Sequence, residues 1–269
     1  MIITSRQNPQ VAHFRALMRD RKARLESGLF AVEGEKLFHE AVASGLKPEQ
    51  ILLTEKFSQK NDNFCKKAAN LCNIDIISDD LAEYISDTKS PQGVFFSLPL
   101  LDKFSKLSTL INSTGTSRAS ASQTTAARFR VIALDEVQTP GNVGAIIRSC
   151  DAFGVDALLL SESCADIHSP KVIRSAMGSA FRLPVYRGGL VELKTLGFTV
   201  IGAALSDKAE KLTDFSFPEK SVVVIGSEGA GISAQVLALC DSEIYIPIKN
   251  AESLNAAVAA SIIIYEMRK

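Results

Sequence analysis

The sequence predicts an α/β protein in two parts, a small α/β layer domain over residues 1–100 and a mostly parallel, doubly covered sheet over 129–269. Three observations carry that expectation. Short β-rich runs alternate with segments of apolar spacing near 3.6 through both parts. The runs VIAL, ALLL and VVVI are continuously apolar, as strands buried on both faces of a parallel sheet must be. Between the parts, residues 113–127, STGTSRASASQTTAA, hold twelve Ser, Thr or Ala in fifteen. A stretch so poor in apolar side chains cannot offset its ordering entropy, so 101–128 is read as a flexible linker.

Taken in order, GLFAVEG (28–34) reads as a strand and EKLFHEAVASG (35–45) as an amphipathic helix closed by Gly45. Strand QILLT (50–54), a helix over 60–72, strand NIDIIS (73–78), helix DDLAEYIS (79–86) and strand GVFFSL (93–98) complete the first part. The second part opens with strand RVIALDEV (130–137), a helix from Asn142 to Phe153 closed by Gly154, strand DALLLS (156–161) and a helix over 170–177. Strands near 183–186, 198–203, 222–226 and 243–247 follow, and a last helix runs from Ser253 to about Met267.

Composition narrows the function classes. The chain has 269 residues, 46% hydrophobic and 22% charged, the balance of a soluble globular protein. No apolar run reaches the roughly 18 to 20 residues that span a bilayer, and MIITSRQNPQ lacks the pattern of a signal or transit peptide, so no membrane partner and a cytoplasmic location are expected. Five cysteines without a CxxC spacing and three scattered histidines make neither a disulfide framework nor a metal site, so no metal is expected. Thirty basic residues balance thirty acidic ones. Yet residues 1–24 hold six basic groups, among them Arg6, Arg21, Lys22 and Arg24, against one acid. That is the footprint of a localised nucleic-acid contact or of a solvated helix face, and charge alone leaves both open.

Three polar loops follow strands of the second part, where ligands of parallel sheets bind. In DEVQTPGNVGAIIRSCDAFG (135–154), Asn142 is expected to N-cap the following helix. Gly144 and Arg148 share a face there; the flanking Ile146, Ile147, Cys150 and Phe153 predict a partly buried guanidinium, with an Arg148–Asp151 helix pair as the plainer alternative. In SVVVIGSEGAGIS (221–233), Gly226, Gly229 and Gly231 allow tight turns and close backbone approach. Glu228 among them opposes a phosphate and favours a ligand with hydroxyls, an amine or a positive centre, which S-adenosylmethionine satisfies. In EIYIPIKNAESLNAAVAASIIIYEMRK (243–269), Ser253 is expected to N-cap the last helix, with Asn255 in its first turn. That helix is apolar nearly all round, hence either a central core helix or one covered by a second subunit. A fourth stretch, SPKVIRSAMGSAFRLPV (169–185), offers Lys171 and Arg174 to RNA phosphates, or is a basic surface helix.

Together, PGNVGAIIR, IGSEGAGIS and IPIKNAESLNAAVAA resemble the three signature motifs of the SpoU (TrmH-like) RNA ribose 2′-O-methyltransferases. The segment from SRQNPQVAHFRALMRDRKARLESGLFAVEGEKLFHEA to SPQGVFF resembles that family's N-terminal RNA-substrate-binding domain, of ribosomal-protein-like α/β fold. The resemblance implies a SPOUT-type sheet whose C-terminal chain forms a trefoil knot around S-adenosylmethionine, and a homodimer built on the knot region. It places Asn142, Arg148, Glu228, Ser253 and Asn255 on catalytic positions, and Gly226, Ile246 and Leu254 on those that cradle the donor. Arg148 is then either the proton acceptor or the group that orients the target phosphate. Thr139, Ile248 and Asn250 depart from the family pattern, and the third motif is one residue short. The implied reaction is methylation of a ribose 2′-hydroxyl, with ribosomal RNA as the expected substrate; the alternatives are tRNA and a non-catalytic RNA-binding module. A nicotinamide oxidoreductase would need GxGxxG after the first strand of the second part, which LDEVQTPGNVGA does not supply.

Overall fold

The computed structural model describes residues 2–101 and 128–268. The linker expected over 101–128 therefore lies outside the described residues except at its two ends. Two units separate: one takes the chain up to residue 101 together with 166–182, the other takes the rest.

In the first unit, strands β1 (Ile2–Ile3), β2 (Leu29–Glu33), β3 (Gln50–Thr54), β4 (Ile74–Ile77) and β5 (Val94–Pro99) form a mixed sheet in the order β1-β4-β3-β5-β2. β1, β4 and β3 run parallel, while β5 is antiparallel to both its neighbours. Helix Pro9–Arg19 starts where the Asn8 side chain accepts the amides of Gln10 and Val11 at 2.9 and 3.4 Å. Its apolar face, Val11, Phe14, Leu17 and Met18, packs in one core with Leu52, Ile77 and Phe95. The helix expected over 60–72 is Asp62–Ala69, and a further helix, Glu55–Lys60, precedes it. Asn61 sits between them in a non-helical conformation (φ −127°, ψ 53°) and its side-chain amide donates to the Phe57 carbonyl at 2.9 Å, so local capping separates the two.

Ion pairs explain why 166–182 groups with this unit. Arg24 is 4% exposed; its Nε and Nη2 donate to Asp166 Oδ2 at 3.0 and 2.6 Å and its Nη1 to the Leu17 carbonyl at 2.6 Å. His168, buried against the Phe30 ring, accepts the Leu101 amide on Nε2 at 2.9 Å. Arg174 makes a two-pronged pair with Asp87 at 2.5 and 2.8 Å, and Arg182 pairs with Glu40 at 2.6 Å. Arg24 and Arg174, expected on sequence as phosphate contacts, are thus corrected. Both guanidiniums are engaged by carboxylates, and Arg24 is out of reach of solvent.

In the second unit, β6 (Phe129–Leu134), β7 (Ala157–Leu160), β8 (Val185–Arg187), β9 (Thr199–Ala203), β10 (Glu210–Lys211), β11 (Lys220–Ile225) and β12 (Ser242–Tyr245) form one sheet in the order β10-β12-β9-β11-β6-β7-β8. Every neighbouring pair is parallel, as the continuous apolar runs require. Helix Pro140–Phe153 ends at Gly154, which takes the left-handed φ of 72°. The last helix, Ala256–Met267, buries Ala256, Ala257, Ala260, Ile263, Ile264 and Met267. Val258, Ile262 and Tyr265 are 48, 37 and 42% exposed. Of the two readings of this helix, the central core helix is corrected: within one chain, an apolar stripe at i, i+4, i+7 faces outward. Among the described residues no helix is long and apolar enough to cross a membrane, and no three His, Cys, Asp or Glu cluster as metal ligands.

Replacing Arg24 by Ala takes the cation from the largely buried Asp166 carboxylate and leaves it only its contacts with His168, which is expected to cost the first unit about 3 kcal/mol, read as a lower midpoint in urea unfolding. Burial pushes the Asp166 carboxyl up, but hydrogen bonds from His168 and Arg24 and the Arg24 charge outweigh it and hold it well below the usual carboxylate range. A depressed acid stabilises the fold above its unfolded pKa, about 4, and loses that contribution as pH falls through its folded value. Asp166→Asn is therefore expected to flatten the acid limb of the stability profile.

Candidate active site

β6 and β11 are adjacent and parallel, with Leu134 opposite Ile225, so the loops leaving their carboxyl ends emerge side by side. β7 and β8 extend the sheet on one flank of β6 while β9 and β12 lie on the other. The crevice between β6 and β11 is therefore a topological switch point, where such sheets bind ligands. Asp135, 6% exposed, stitches the two loops: its amide donates to the Ile225 carbonyl and its carboxylate accepts the Ser233 amide at 2.8 Å. Its place as a buried acid ending an apolar strand was the signal that sequence reasoning passed over.

The loop after β11 is closed by two reciprocal amide–carbonyl bonds between Ser227 and Gly231, each 3.0 Å, with Gly231 at φ +69°. A Cβ on Gly226 would lie 2.1 Å from the Gly231 carbonyl carbon. No side chain fits at 226, and the glycine there is a condition of the loop's shape.

Asn142 does not cap its helix as expected. The helix begins at Pro140 behind Thr139, which places Asn142 in the first turn with its side chain available to the site. Its Nδ2 donates to Glu228 Oε1 in a short hydrogen bond, and its Oδ1 accepts from Asn255 Nδ2 at 3.1 Å. Asn255 Oδ1 in turn accepts the amides of Ala257 and Val258 at 2.9 and 3.3 Å. Asn255, not Ser253, is thus the N-cap of the last helix, which starts at Ala256. One directed chain of donors runs from that helix terminus through Asn255 and Asn142 to the carboxylate, and fixes the orientation of both side-chain amides. Further along, Ser149 meets Ser261 at 2.7 Å and the Phe153 and Tyr265 rings meet edge to face at 5.5 Å. These pairs ascend in step, so the two helices run parallel and present their starts to the same loops.

Burial raises the Glu228 carboxyl, but its own backbone amide, Asn142 and Thr139 donate hydrogen bonds that outweigh burial and hold it below the ordinary glutamate value. It is an anion at neutral pH. Thr139, a departure from the family pattern, supplies a donor where an acid would repel Glu228. Asn250, a second departure, has φ +61°; asparagine is among the few residues that take the conformation otherwise left to glycine.

Ile246 and Leu254 line a pocket of about 170 Å³ with Ala203, Leu205, Glu252 and Ser253. Among the described residues no lysine or arginine lines it, so its chemistry is that of an apolar seat with one carboxylate, unlike a phosphate site. Gly226 is not on its lining. Arg148 is exposed and forms no hydrogen bond or ion pair with another described residue, which corrects the expected partial burial and the expected Asp151 partner. Among the RNA-contact candidates, Arg21, Lys22 and Lys171 are exposed, Lys22 3.7 Å from Glu26. Exposed Arg6 lies over the Tyr84 ring at 4.7 Å.

Residues 130–265 match the SpoU rRNA Methylase family, and residues 8–95 match the MRM3-like substrate binding domain. The chain is 33% identical, over 99% of its length and 98% of the relative's, to the 23S rRNA (guanosine(2553)-2′-O)-methyltransferase RlmP of Bacillus subtilis. It superposes with a TM-score of 0.82 and 25% identity on the AdoMet-bound rRNA methyltransferase of Sinorhizobium meliloti, over 100% of this chain and 97% of the other. A second likeness, TM-score 0.80 and 26% identity over 97% of each chain, is to the SpoU methyltransferase AviRb of Streptomyces viridochromogenes in complex with AdoMet. The chain belongs to the SpoU rRNA methylase family.

Asn142→Ala removes a donor from Glu228, so the carboxyl is expected to titrate at a higher pH, measurable by carbon NMR of labelled glutamate. Gly226→Ala is expected to open the 226–231 loop and raise amide exchange at Ser227 and Gly231 by at least tenfold, since the clash outweighs the roughly 1 kcal/mol of a loop hydrogen bond.

Proposed function

We propose that this SpoU-family chain transfers a methyl group from S-adenosylmethionine to a ribose 2′-hydroxyl of a structured RNA, a 23S-type ribosomal RNA. The hydrogen-bonded chain Asn255–Asn142–Glu228, which gathers all three polar loops at the switch point, is the observation that carries this reading. The relatives' names favour ribosomal RNA over tRNA. In the cytoplasm, the first unit engages the RNA and the second performs the chemistry.

The pocket lined by Ile246 and Leu254 fits the adenosine of the donor: apolar walls suit the base, and a lining without lysine or arginine among the described residues suits a nucleoside without phosphate. Gly226 shapes the loop beside it. The stretch from 226 to 255 is read as the knotted seat of the family. When bound, the donor supplies an electrophilic methyl group.

The chain's own residues do the rest. Glu228, anionic and oriented by Asn142, accepts the hydrogen bond of the 2′-hydroxyl on its second carboxylate oxygen and takes up its proton as the hydroxyl oxygen is methylated. Ser253, beside the pocket, completes the hold on that oxygen. Arg148 presents five N–H donors and no acceptor; exposed and without a hydrogen bond or ion pair to another described residue, it is suited to orient the target phosphate rather than to accept a proton. Holding the hydroxyl and its phosphate in one geometry supplies most of the rate, as alignment does in transfers between two bound groups.

The exposed stripe Val258, Ile262 and Tyr265 supports a homodimer in which a second copy covers the last helix. Continuous apolar surface of this kind marks a contact in a soluble protein.

Comparing 2′-O-methyl maps of total RNA with and without the protein is expected to show loss of one ribose methylation in large-subunit rRNA; identical maps refute the substrate. Arg148→Lys is expected to weaken RNA binding and lower methylation at least a hundredfold, because a point charge replaces a planar two-pronged contact. Unchanged RNA binding with methylation abolished returns the proton-acceptor role to Arg148. Ile262→Glu is expected to shift sedimentation to the monomer mass.

A further inference from the structure

The first unit carries a second pocket, of about 380 Å³, that the chemistry above does not use. It opens beyond the carboxyl ends of the parallel pair β3 and β4, and is lined from three segments: Lys56, Phe57 and Lys60 after β3, Asp79 and Glu83 after β4, and Gln92 before β5. Strand ends of this kind are where α/β layers hold ligands.

Its frame is fixed rather than loose. Gly93, at φ +77°, forms the floor, where a Cβ would stand 2.6 Å from Thr54 Oγ1. Glu33, 5% exposed, holds the rim: it accepts the Ser86 hydroxyl at 2.6 Å and the Gln92 amide at 2.8 Å. Gln92 then lies across Gly34, where a Cβ would meet its side-chain oxygen at 2.7 Å. Two glycines and one buried carboxylate thus set the position of an exposed amide side chain.

Its charges are not satisfied by one another. Lys56 and Lys60 on one wall, and Asp79 and Glu83 on the other, form no ion pair or hydrogen bond with any described residue. A ligand that satisfies both walls carries an anion at one end and amino donors at the other, with a flat face for half-buried Phe57 between them. A nucleotide of single-stranded RNA whose base bears an amino group, guanine, cytosine or adenine, has that composition. Lysines meet its phosphates, a carboxylate accepts from its amino edge, and the ring stacks on the aromatic.

We propose that this pocket binds one unpaired, amino-bearing nucleotide of the RNA substrate, so that the first unit reads sequence as well as charge. The proposal rests on the RNA substrate assigned above.

Two double variants of the full chain test it, with an unmodified large-subunit rRNA transcript as probe. Lys56→Ala with Lys60→Ala is expected to lower the slope of log affinity against log salt by about 1.4, two single-strand phosphate contacts at about 0.7 each. It is also expected to raise KM with kcat unchanged. Asp79→Asn with Glu83→Gln is expected to leave the salt slope unchanged and raise KM roughly tenfold, within the range for a lost base-edge contact. Thermal melting and calorimetry of S-adenosylmethionine binding should match wild type in both, which excludes misfolding. A wild-type salt slope in the lysine pair, a wild-type KM in the acid pair, or a fall in kcat at constant KM overturns the proposal. Failure of the wild-type protein to methylate the transcript strikes the proposed function instead. Filter binding still decides the pocket in that case, since the lysine pair must change the salt slope and the acid pair must weaken affinity at constant slope.

Discussion

The second unit depends on a chain of hydrogen bonds that starts at unsatisfied amides of a helix terminus and ends on a carboxylate. The helix must leave its first amides without intrahelical partners, and Asn255 takes two of them. Its remaining amide passes the polarity to Asn142, and Asn142 passes it to Glu228. Glu228 and Asn255, 86 and 113 positions from Asn142 in the sequence, thereby share one orientation with it. The parallel packing of helices Pro140–Phe153 and Ala256–Met267 brings their starts together, and the adjacency of β6 and β11 brings the glycine loop to both.

Backbone conformation sets the tolerances of that arrangement. Gly226 leaves no room for a methyl group, and Asn250 holds a left-handed turn without glycine. The two departures closest to the site, Thr139 and Asn250, each preserve what the position needs: a hydrogen bond to an anion in one case, a positive φ in the other. A family pattern is thus kept at the level of physics where it changes at the level of letters.

The first unit illustrates a different rule. Arginine counts are a poor guide to nucleic-acid contacts when carboxylates are near. Arg24 and Arg174 are taken up by Asp166 and Asp87, and Arg15 donates to the Tyr84 carbonyl while stacking on its ring. Two of the cations left to solvent, Lys56 and Lys60, lie at a strand-end pocket that the basic N-terminal cluster does not mark.

By itself, the sequence determined the alternation of strands and helices, the parallel character of the large sheet and the three loops that bear polar groups. Each is written in local periodicity or in a run of neighbouring residues. It also located Glu228 as an anomaly among glycines. Only the tertiary structure decided that Asn142 leaves the cap expected of it for a bond to that carboxylate, that Asn255 takes the cap expected of Ser253 and bonds Asn142, that Arg148 is solvent-exposed, and that residues 166–182 group with the first unit. The Asn255–Asn142–Glu228 bonds and the grouping of 166–182 turn on partners more than 80 residues away in the chain, and periodicity carries no information about which distant side chain will satisfy a donor or a charge.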